Sequence, residues 1–329
     1  MKCEVTKDQL YSKLSKADIE WLHTNSFSED LQKEMVRVAK DKNTLQRIEE
    51  IVSRIPTSHK LYLADARQMD MIEDESVHLI VTSPPYWILK EYREIEGQLG
   101  VIKDYEKFLS ELDKVWKECY RVLVPGGRLI VVVGDVCLPR RRYGRHMVVP
   151  LHADIQRHCV DLGYENLAPI IWYKIANVSR EVSGRNGFLG KPYEPNAIIK
   201  NDIEFILMFR KPGYRRPSLI KRKLSIIPEE LFKEWFRQVW MLRGESTKHH
   251  PAPFPLELAE RLIRMFSFVN DTVLDPFIGT GTTTVAAIRC GRNSIGIEID
   301  PEFFEFAKKR IANEASKLFT KIEFEAIRR

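Results

Sequence analysis

Two short segments combine residue types that could do chemistry, and the first is Ser83-Pro84-Pro85-Tyr86-Trp87. It directly follows an apolar run that is typical of a buried strand. Consecutive prolines fix φ and keep the backbone extended, which leaves carbonyl oxygens that are not used by a helix. A hydroxyl, a free carbonyl and an aromatic face would then lie side by side and could bind a planar ring that carries an amino group. The alternative is a proline-terminated strand whose aromatic residues belong to the core.

The second segment is Thr272-Val-Leu-Asp275-Pro-Phe277-Ile-Gly279-Thr-Gly281-Thr-Thr-Thr284. It predicts a strand, a glycine turn and a helix whose N-terminus faces a ligand. It is not a P-loop because no Gly-Lys-Ser/Thr follows, and it lacks the third glycine of the dinucleotide fingerprint. The next predicted strand ends at Glu298, 23 residues after Asp275, where a carboxylate can accept hydrogen bonds from ribose hydroxyls. The alternative is a purely structural glycine turn.

The elements that must position these segments begin near residue 59. From there, short apolar strands alternate with amphipathic helices, which predicts an α/β fold with a doubly wound, mostly parallel sheet. The predicted strands are 60–64, 77–82, 128–134, 168–173, 204–209, 272–275 and 294–299, and the predicted helices are 104–122, 152–162, 255–266 and 283–290.

Residues 1–58 show helical spacing of apolar residues and no recognisable chemistry, so we interpret them as a helical extension of a domain that spans 59–329. Two stretches interrupt the α/β pattern. Residues 176–201 are rich in Gly, Asn, Pro and Ser, and residues 210–249 open with seven basic residues among fourteen and continue into a predicted helix over 231–240. Long loops at strand ends often carry function, so both stretches are candidate recognition regions.

Composition narrows the class of protein. A chain of 329 residues fits about two domains at roughly 150 residues each, or one large α/β domain with insertions. Hydrophobic residues make up 44% and charged residues 30%, which excludes a disordered chain and a membrane protein. The first residues lack the apolar segment of a signal peptide, and five scattered cysteines show no metal or redox spacing, so a cytoplasmic protein is expected. The net charge of +6 permits a nucleic-acid partner without requiring one.

Together the two segments resemble the amino-directed DNA methyltransferases of restriction–modification type. Residues 83–86 look like their catalytic motif, and residues 275–282 look like their S-adenosylmethionine motif. The catalytic motif comes first, which is the circularly permuted order of the β group. The resemblance covers residues 59 to 315, including 62–65, 122–127 and 248–254. It implies a Rossmann-like class I methyltransferase fold, circularly permuted, with an N-terminal helical extension and a small target-recognition insertion.

The resemblance also implies roles for residues. Ser83 and the carbonyl of Pro84 would hold the target amine, Pro85 would stiffen the motif, and Tyr86 would stack on a flipped base. No metal is expected, because a sulfonium already activates the methyl group. The implied cofactor residues are Asp65, His250, Phe254, Asp275, Phe277, Gly279, Gly281, Thr282 and Glu298, with Glu298 on the ribose and Asp65 near the adenine.

The expected substrate is double-stranded DNA. In the resembling family, Ser-Pro-Pro-Tyr is associated chiefly with cytosine N4, and motifs that begin with Asp or Asn chiefly with adenine N6. We therefore predict a cytosine-N4 enzyme, with adenine N6 as the alternative. An RNA or protein-amide methyltransferase and a non-catalytic nucleotide-binding module also stay open. A restriction endonuclease encoded nearby and a homodimer are further expectations.

Basic residues on the predicted loops are the expected phosphate contacts, because Arg and Lys supply most of the affinity for DNA. The run at 140–145 follows a strand and should lie beside the catalytic motif, although a charged run can also be an ordinary solvated surface. The candidates are Arg140, Arg141, Arg142, Arg145, Arg215, Arg216, Lys221 and Arg222.

Overall fold

A computed structural model describes residues 10–24, 31–90, 92–174, 201–244, 254–317 and 321–328. The strands are β1 (Thr57–Leu63), β2 (Val77–Thr82), β3 (Leu123–Val133), β4 (Val136–Leu138), β5 (Met147–Val149), β6 (Glu165–Lys174), β7 (Ile203–Arg210), β8 (Val239–Leu242), β9 (Thr272–Asp275), β10 (Asn293–Glu298) and β11 (Ile322–Arg328). The helices are α1 (Lys16–Thr24), α2 (Leu31–Ala39), α3 (Lys42–Val52), α4 (Tyr105–Val122), α5 (Arg140–Tyr143), α6 (Leu151–Asp161), α7 (Leu219–Leu224), α8 (Glu229–Trp235), α9 (Leu256–Phe266), α10 (Thr282–Arg289) and α11 (Pro301–Ser316).

The large sheet has the order β11-β1-β10-β9-β2-β3-β7-β6-β8. Strands from β11 to β3 are parallel to their neighbours, and β7 runs antiparallel to both β3 and β6. The prediction of a mostly parallel sheet is therefore confirmed. The ends of β1, β2, β3, β9 and β10 meet at one edge, together with the start of β7. We call this the carboxyl edge and the opposite one the amino edge.

Helices cover both faces of the sheet. In β3, Leu129, Val131 and Val133 pack in one buried cluster with α4 and α6. Ile130 and Val132 point to the other face and pack with α9 and α10. A strand that is buried on both faces reads as a continuous apolar run, which is what residues 129–133 show.

The described N-terminal helices lie against the amino edge. Leu45, Ile48 and Ile51 of α3 share a buried cluster with Ile220 of α7 and with Val269, shortly before β9. The extension therefore packs on the side of the sheet opposite to the two chemistry-bearing segments. Among the described residues, no helix is long and apolar enough to span a membrane.

Each predicted strand overlaps an observed one, but the predicted helix over 231–240 is confirmed only as far as Trp235. Helix α8 ends at Trp235, and Trp240 lies in β8, which pairs with β6. Trp240 is buried, and the indole of Trp172 donates to the carbonyl of Leu242 at 2.9 Å. Pairing of β8 with β6 and burial of Trp172 and Trp240 outweigh the helical spacing of the sequence.

Candidate active site at the carboxyl edge

The two chemistry-bearing segments meet because β2 and β9 are neighbours. The Thr82 hydroxyl donates to Asp275 Oδ1 at 2.7 Å, and the Thr283 hydroxyl donates to Oδ2 at 2.6 Å. The backbone N–H of Phe277 donates to Oδ1 at 3.0 Å. Asp275 therefore joins the strand that precedes Ser83 to the turn and helix of the second segment.

The glycine turn requires glycine at two positions. Gly279 has φ 52°, and Gly281, which caps α10, has φ 84°. Residues that carry a side chain rarely adopt such backbone angles. A Cβ on Gly281 would also lie 3.3 Å from two carbons of Ile311 in α11. The turn is therefore held tightly between β9 and α11.

Glu298 ends β10 beside this turn and is 8% exposed. Its Oε2 accepts from the N–H of Gly279 at 2.9 Å, and its Oε1 accepts from the N–H groups of Ile299 and Asp300 at 3.0 and 2.9 Å. Burial raises the pKa of Glu298 to about 7, and burial likewise raises the pKa of Asp275 to about 6. Within the described part of the chain, no ion pair reaches either carboxyl group.

A cleft with about 570 Å³ of empty volume, part of it open to solvent, lies between the two segments. Its lining includes Ser83 and Pro85 of the first segment, Phe277 and Glu298 of the second, and Asp65 after β1. Carboxyl groups and an aromatic ring therefore face the same cleft.

The other predicted cofactor residues that the structure describes do not line this cleft. Phe254 packs in the apolar cluster of α9, on the other face of the sheet. The hydroxyl of Thr282 accepts from Arg310 of α11 at 2.9 Å. Asp275, Gly279 and Gly281 shape the turn behind it, and His250 lies outside the described residues. Among those described, no group of three or more His, Cys, Asp or Glu side chains is placed to hold a metal ion.

The first segment forms a chain of hydrogen bonds. The Ser83 hydroxyl donates to Tyr86 Oη at 3.1 Å, and the Tyr86 hydroxyl donates to Glu204 Oε2 at 3.2 Å and to the carbonyl of Val132 at 3.3 Å. Lys174 forms an ion pair with Glu204. Tyr86 is only 3% exposed, so the predicted stacking on a base needs a shift of its neighbours.

Glu204 and Lys174 are residues that sequence reasoning missed. Glu204 lies at the start of β7, and Lys174 lies at the end of β6. The sequence predicts both strands, but it does not indicate that they pair beside the first segment. One signal was present, because Glu204 is a charged residue within an otherwise apolar strand from Ile203 to Met208. A charge at such a position indicates a partner or a function.

The predicted DNA contacts fall into two groups. Arg140, Arg141, Arg142 and Arg145 are exposed on a hairpin excursion that leaves the carboxyl edge after β3. No ion pair ties them to an acidic side chain in the part of the chain that the structure describes.

The other group, within residues 210–223, lies at the amino edge. Arg215 and Lys221 form ion pairs with Asp271, which is fully buried. Arg216 is exposed near them, and Arg222 is half-buried. These four residues are therefore separated from Ser83 by the length of the sheet.

Comparison with known proteins shows which family this chain is similar to. The model of a DNA methylase family matches residues 77–309. The chain is 38% identical over 305 residues to the type II methyltransferase M.MjaI of Methanocaldococcus jannaschii, which covers 84% of this chain and 98% of that protein. It is 35% identical over 292 residues to the type II methyltransferase M.MthZI of Methanothermobacter thermautotrophicus, which covers 81% and 79%.

Solved structures agree with this likeness. TTHA0409 of Thermus thermophilus, assigned as a DNA modification methylase and solved with S-adenosyl-L-methionine, is 51% identical, with a TM-score of 0.66, and the match covers 81% of this chain and 98% of that one. The cytosine-N4-specific PvuII DNA methyltransferase has a TM-score of 0.57 at 18% identity, over 82% of this chain and 96% of its own. At that identity the second likeness shows the class I methyltransferase fold alone.

Proposed function

The chain belongs to the DNA methylase family whose model it matches, and on that premise we propose that it methylates the N4 amine of a cytosine within a specific DNA site. The family uses S-adenosylmethionine and acts on DNA. The observation that carries the proposal is that Ser83 and Pro85 line the same cleft as Phe277 and Glu298. A methyl donor in that cleft would lie directly beside the group that holds the amine.

The residues of the cleft suit the parts of S-adenosylmethionine. Glu298 would accept hydrogen bonds from the ribose hydroxyls, and Asp65 would lie at the adenine end. Phe277 would form an apolar wall, while Gly279 and Gly281 keep the turn close. When bound, the cofactor supplies a methyl group that its sulfonium has already activated.

The target amine is a weak nucleophile because its lone pair is delocalised into the ring. Ser83 Oγ and the carbonyl of Pro84 would each accept one of its protons. These two hydrogen bonds favour a pyramidal nitrogen whose lone pair is localised and directed at the methyl group. The protein then contributes mainly orientation and fixed dipoles.

A base inside a duplex cannot reach Ser83, so the target cytosine must turn out of the helix. Stacking of this base on Tyr86 stays a prediction, and it requires the ring to become accessible. We expect the exposed arginines on the hairpin after β3, at the same edge as Ser83, to contact the DNA backbone. The basic group at the amino edge is a weaker candidate because of its distance from the carboxyl edge.

The identity of the target base rests on the serine that opens the motif. Adenine N6 is the competing candidate, since the family includes both amines and the cytosine-specific neighbour shares only the fold. A homodimer and a restriction endonuclease encoded nearby stay predictions from the sequence.

The test is single-turnover transfer of labelled methyl groups to unmethylated plasmid DNA, followed by mass spectrometry of the nucleosides. We expect 4-methylcytosine as the product. Ser83→Ala should lower the rate about 100-fold, as the loss of one transition-state hydrogen bond typically does, while the cofactor affinity stays the same. The matched control is Ser53→Ala, a serine directly after α3 whose hydroxyl donates to the carbonyl of Glu50.

Three results would change the proposal. Full-rate transfer by Ser83→Ala would remove the proposed role of the hydroxyl, because that hydrogen bond should act on kcat more than on KM. N6-methyladenine would overturn the cytosine assignment and leave the cofactor site standing. No methylated nucleoside under conditions in which the cofactor binds would contradict the enzyme itself.

A further inference from the structure

We propose that Glu204 is a positioning residue that keeps Ser83 a hydrogen-bond acceptor for the target amine and receives, through Tyr86, the proton that the amine releases. This inference rests on the proposed amino-methyl transfer. It assigns a role to an ion pair between β6 and β7 that lies outside both sequence motifs.

The direction of the hydrogen bonds follows from what each group can do. A carboxylate only accepts and an ammonium only donates, so Glu204 takes hydrogen bonds from Lys174 and from Tyr86. The hydrogen of Tyr86 is thereby turned away from Ser83. Tyr86 Oη can then accept the serine hydrogen, at 3.1 Å. With its own hydrogen directed inward, Ser83 has lone pairs left to accept a proton of the amine.

The surroundings stabilise this arrangement. Burial, reinforced by the charge of Glu204, raises the pKa of Tyr86 well above its usual value, so the phenol keeps its hydrogen. Gly134 follows β3 at this point, and a Cβ there would lie 3.2 Å from Glu204 Cγ and 3.4 Å from Tyr86 Cε2. A larger residue would press on both members of the chain. The glycine therefore allows the carboxylate and the phenol to approach each other.

Methyl transfer along this chain leaves one proton on Glu204. As the bond between nitrogen and the methyl carbon forms, the bond between that carbon and the sulfonium sulfur breaks, and the nitrogen becomes cationic. The nitrogen releases a proton to Ser83 Oγ while the serine hydrogen moves to Tyr86 Oη and the tyrosine hydrogen moves to Glu204 Oε2. Ser83 and Tyr86 end neutral, Lys174 stays an ammonium, and the methylated base ends neutral. The protonated Glu204, whose side chain is 13% exposed, then returns the proton to solvent.

Glu204→Gln separates the two parts of this role. The amide has the same size, and Tyr86 can still donate to the carbonyl of Val132, but the amide cannot receive a proton. We expect the single-turnover rate to fall at least tenfold, which is modest for a lost acid–base group. Cofactor affinity by calorimetry and base extrusion, followed by the fluorescence of 2-aminopurine at the target position, should match the wild type. Glu204→Asp should recover part of the rate.

A double-mutant cycle with Tyr86→Phe tests whether the residues act as one chain. The double variant should be no slower than the slower single variant, because removing one link already stops the transfer. The control is Glu165→Gln, whose ion pair with Arg210 joins the same two strands at the amino edge.

The outcomes are distinct. Wild-type rates in Glu204→Gln, or effects of Glu204→Gln and Tyr86→Phe that multiply, would overturn the inference. A Glu204→Gln variant that loses cofactor affinity in step with its rate would show a merely structural role and overturn it too. Failure of the wild-type protein to methylate DNA would instead overturn the proposed function.

Discussion

The two ends of strand β9 carry aspartates with opposite surroundings. Asp271 lies just before the strand, at the amino edge, and Asp275 ends it at the carboxyl edge; both are buried. Burial alone favours protonated Asp271, but the facing His78, Arg215 and Lys221 outweigh it and lower its pKa. Among the described residues, Asp275 meets hydroxyl and amide donors and no cation, and burial raises its pKa to about 6.

The two aspartates at the ends of this strand therefore differ in role. Asp271 stabilises the fold, and Asp275 lies at the candidate active site. At the amino edge, the buried charge of Asp271 is neutralised by Arg215 and Lys221. At the carboxyl edge, Asp275 and Glu298 are buried carboxyl groups with neutral donors, and a buried charge without a counter-charge is costly. A ligand that brings a positive charge and hydroxyl donors would relieve that cost.

The largest effect is expected at the amino edge. Asp271→Asn leaves Arg215 and Lys221 without their counter-charge, and breaking a buried ion pair in this way typically costs about 3–5 kcal/mol. Urea unfolding should show a loss of this size in the free energy of unfolding. Cofactor affinity of the folded protein should not change.

Asp275→Asn is the matched substitution at the other end. None of the described cations pairs with Asp275, so the expected loss is about one hydrogen bond, roughly 0.5–1.5 kcal/mol. Equal losses in the two variants would contradict the distinction between the two edges.

The next effect concerns the cofactor. Glu298→Ala removes the acceptor for the ribose hydroxyls and should cost roughly 1.5–3 kcal/mol, which is about a tenfold to hundredfold loss of affinity in a calorimetric titration. Glu325→Ala, an exposed glutamate on β11, is the control. An unchanged affinity in Glu298→Ala would remove this residue from the site.

A smaller effect is expected on DNA affinity, for which the basic group at the carboxyl edge can be compared with the one at the amino edge. Replacing Arg140, Arg141 and Arg142 by Gln should flatten the dependence of DNA affinity on salt, by roughly 0.9 in the log–log slope for each phosphate that the variant no longer neutralises. The same change at Arg216 and Arg222 should alter the slope less, since they lie at the amino edge. The reverse order would place the DNA on the other side of the sheet.

Much of the carboxyl edge could be predicted from the sequence. The strand that ends at Thr82 contains the apolar run 79–81, the one that ends at Asp275 contains Val273 and Leu274, and proline follows closely after both. Ser83 and Glu298 therefore had a predictable place at strand ends. Local sequence was sufficient because chain direction in a parallel sheet determines which edge a strand end reaches.

Contacts between distant segments could not be predicted in this way. The pair Glu204–Lys174 forms only because β6 and β7 are antiparallel, and Asp271 meets Arg215 only because the segment before α7 folds back on β9. Basic residues at 210–223 look identical in sequence whether they face DNA or a buried aspartate. Trp240 likewise lies in a strand because its segment pairs with β6, although the spacing of the apolar residues around it is helical.

The central claim is that the buried carboxyl groups at the carboxyl edge belong to the cofactor site. Its most direct test is whether the protein releases a proton when the cofactor binds. Because burial raises the pKa of Glu298 to about 7, much of the free protein carries a proton there slightly below neutral pH. Hydroxyl donors and a nearby positive charge favour the ionised form, so binding should lower this pKa and release the proton. Affinity should rise with pH up to about 7, by at most about tenfold per pH unit, and then level off.

The measurement is calorimetric titration of S-adenosylmethionine at about pH 6.5 in two buffers of different ionisation enthalpy. The wild-type protein should release up to about one proton per cofactor bound, and Glu298→Gln should release fewer, with Asp275 accounting for any remainder. Binding without proton release in the wild type, or equal release in both proteins, would contradict the account.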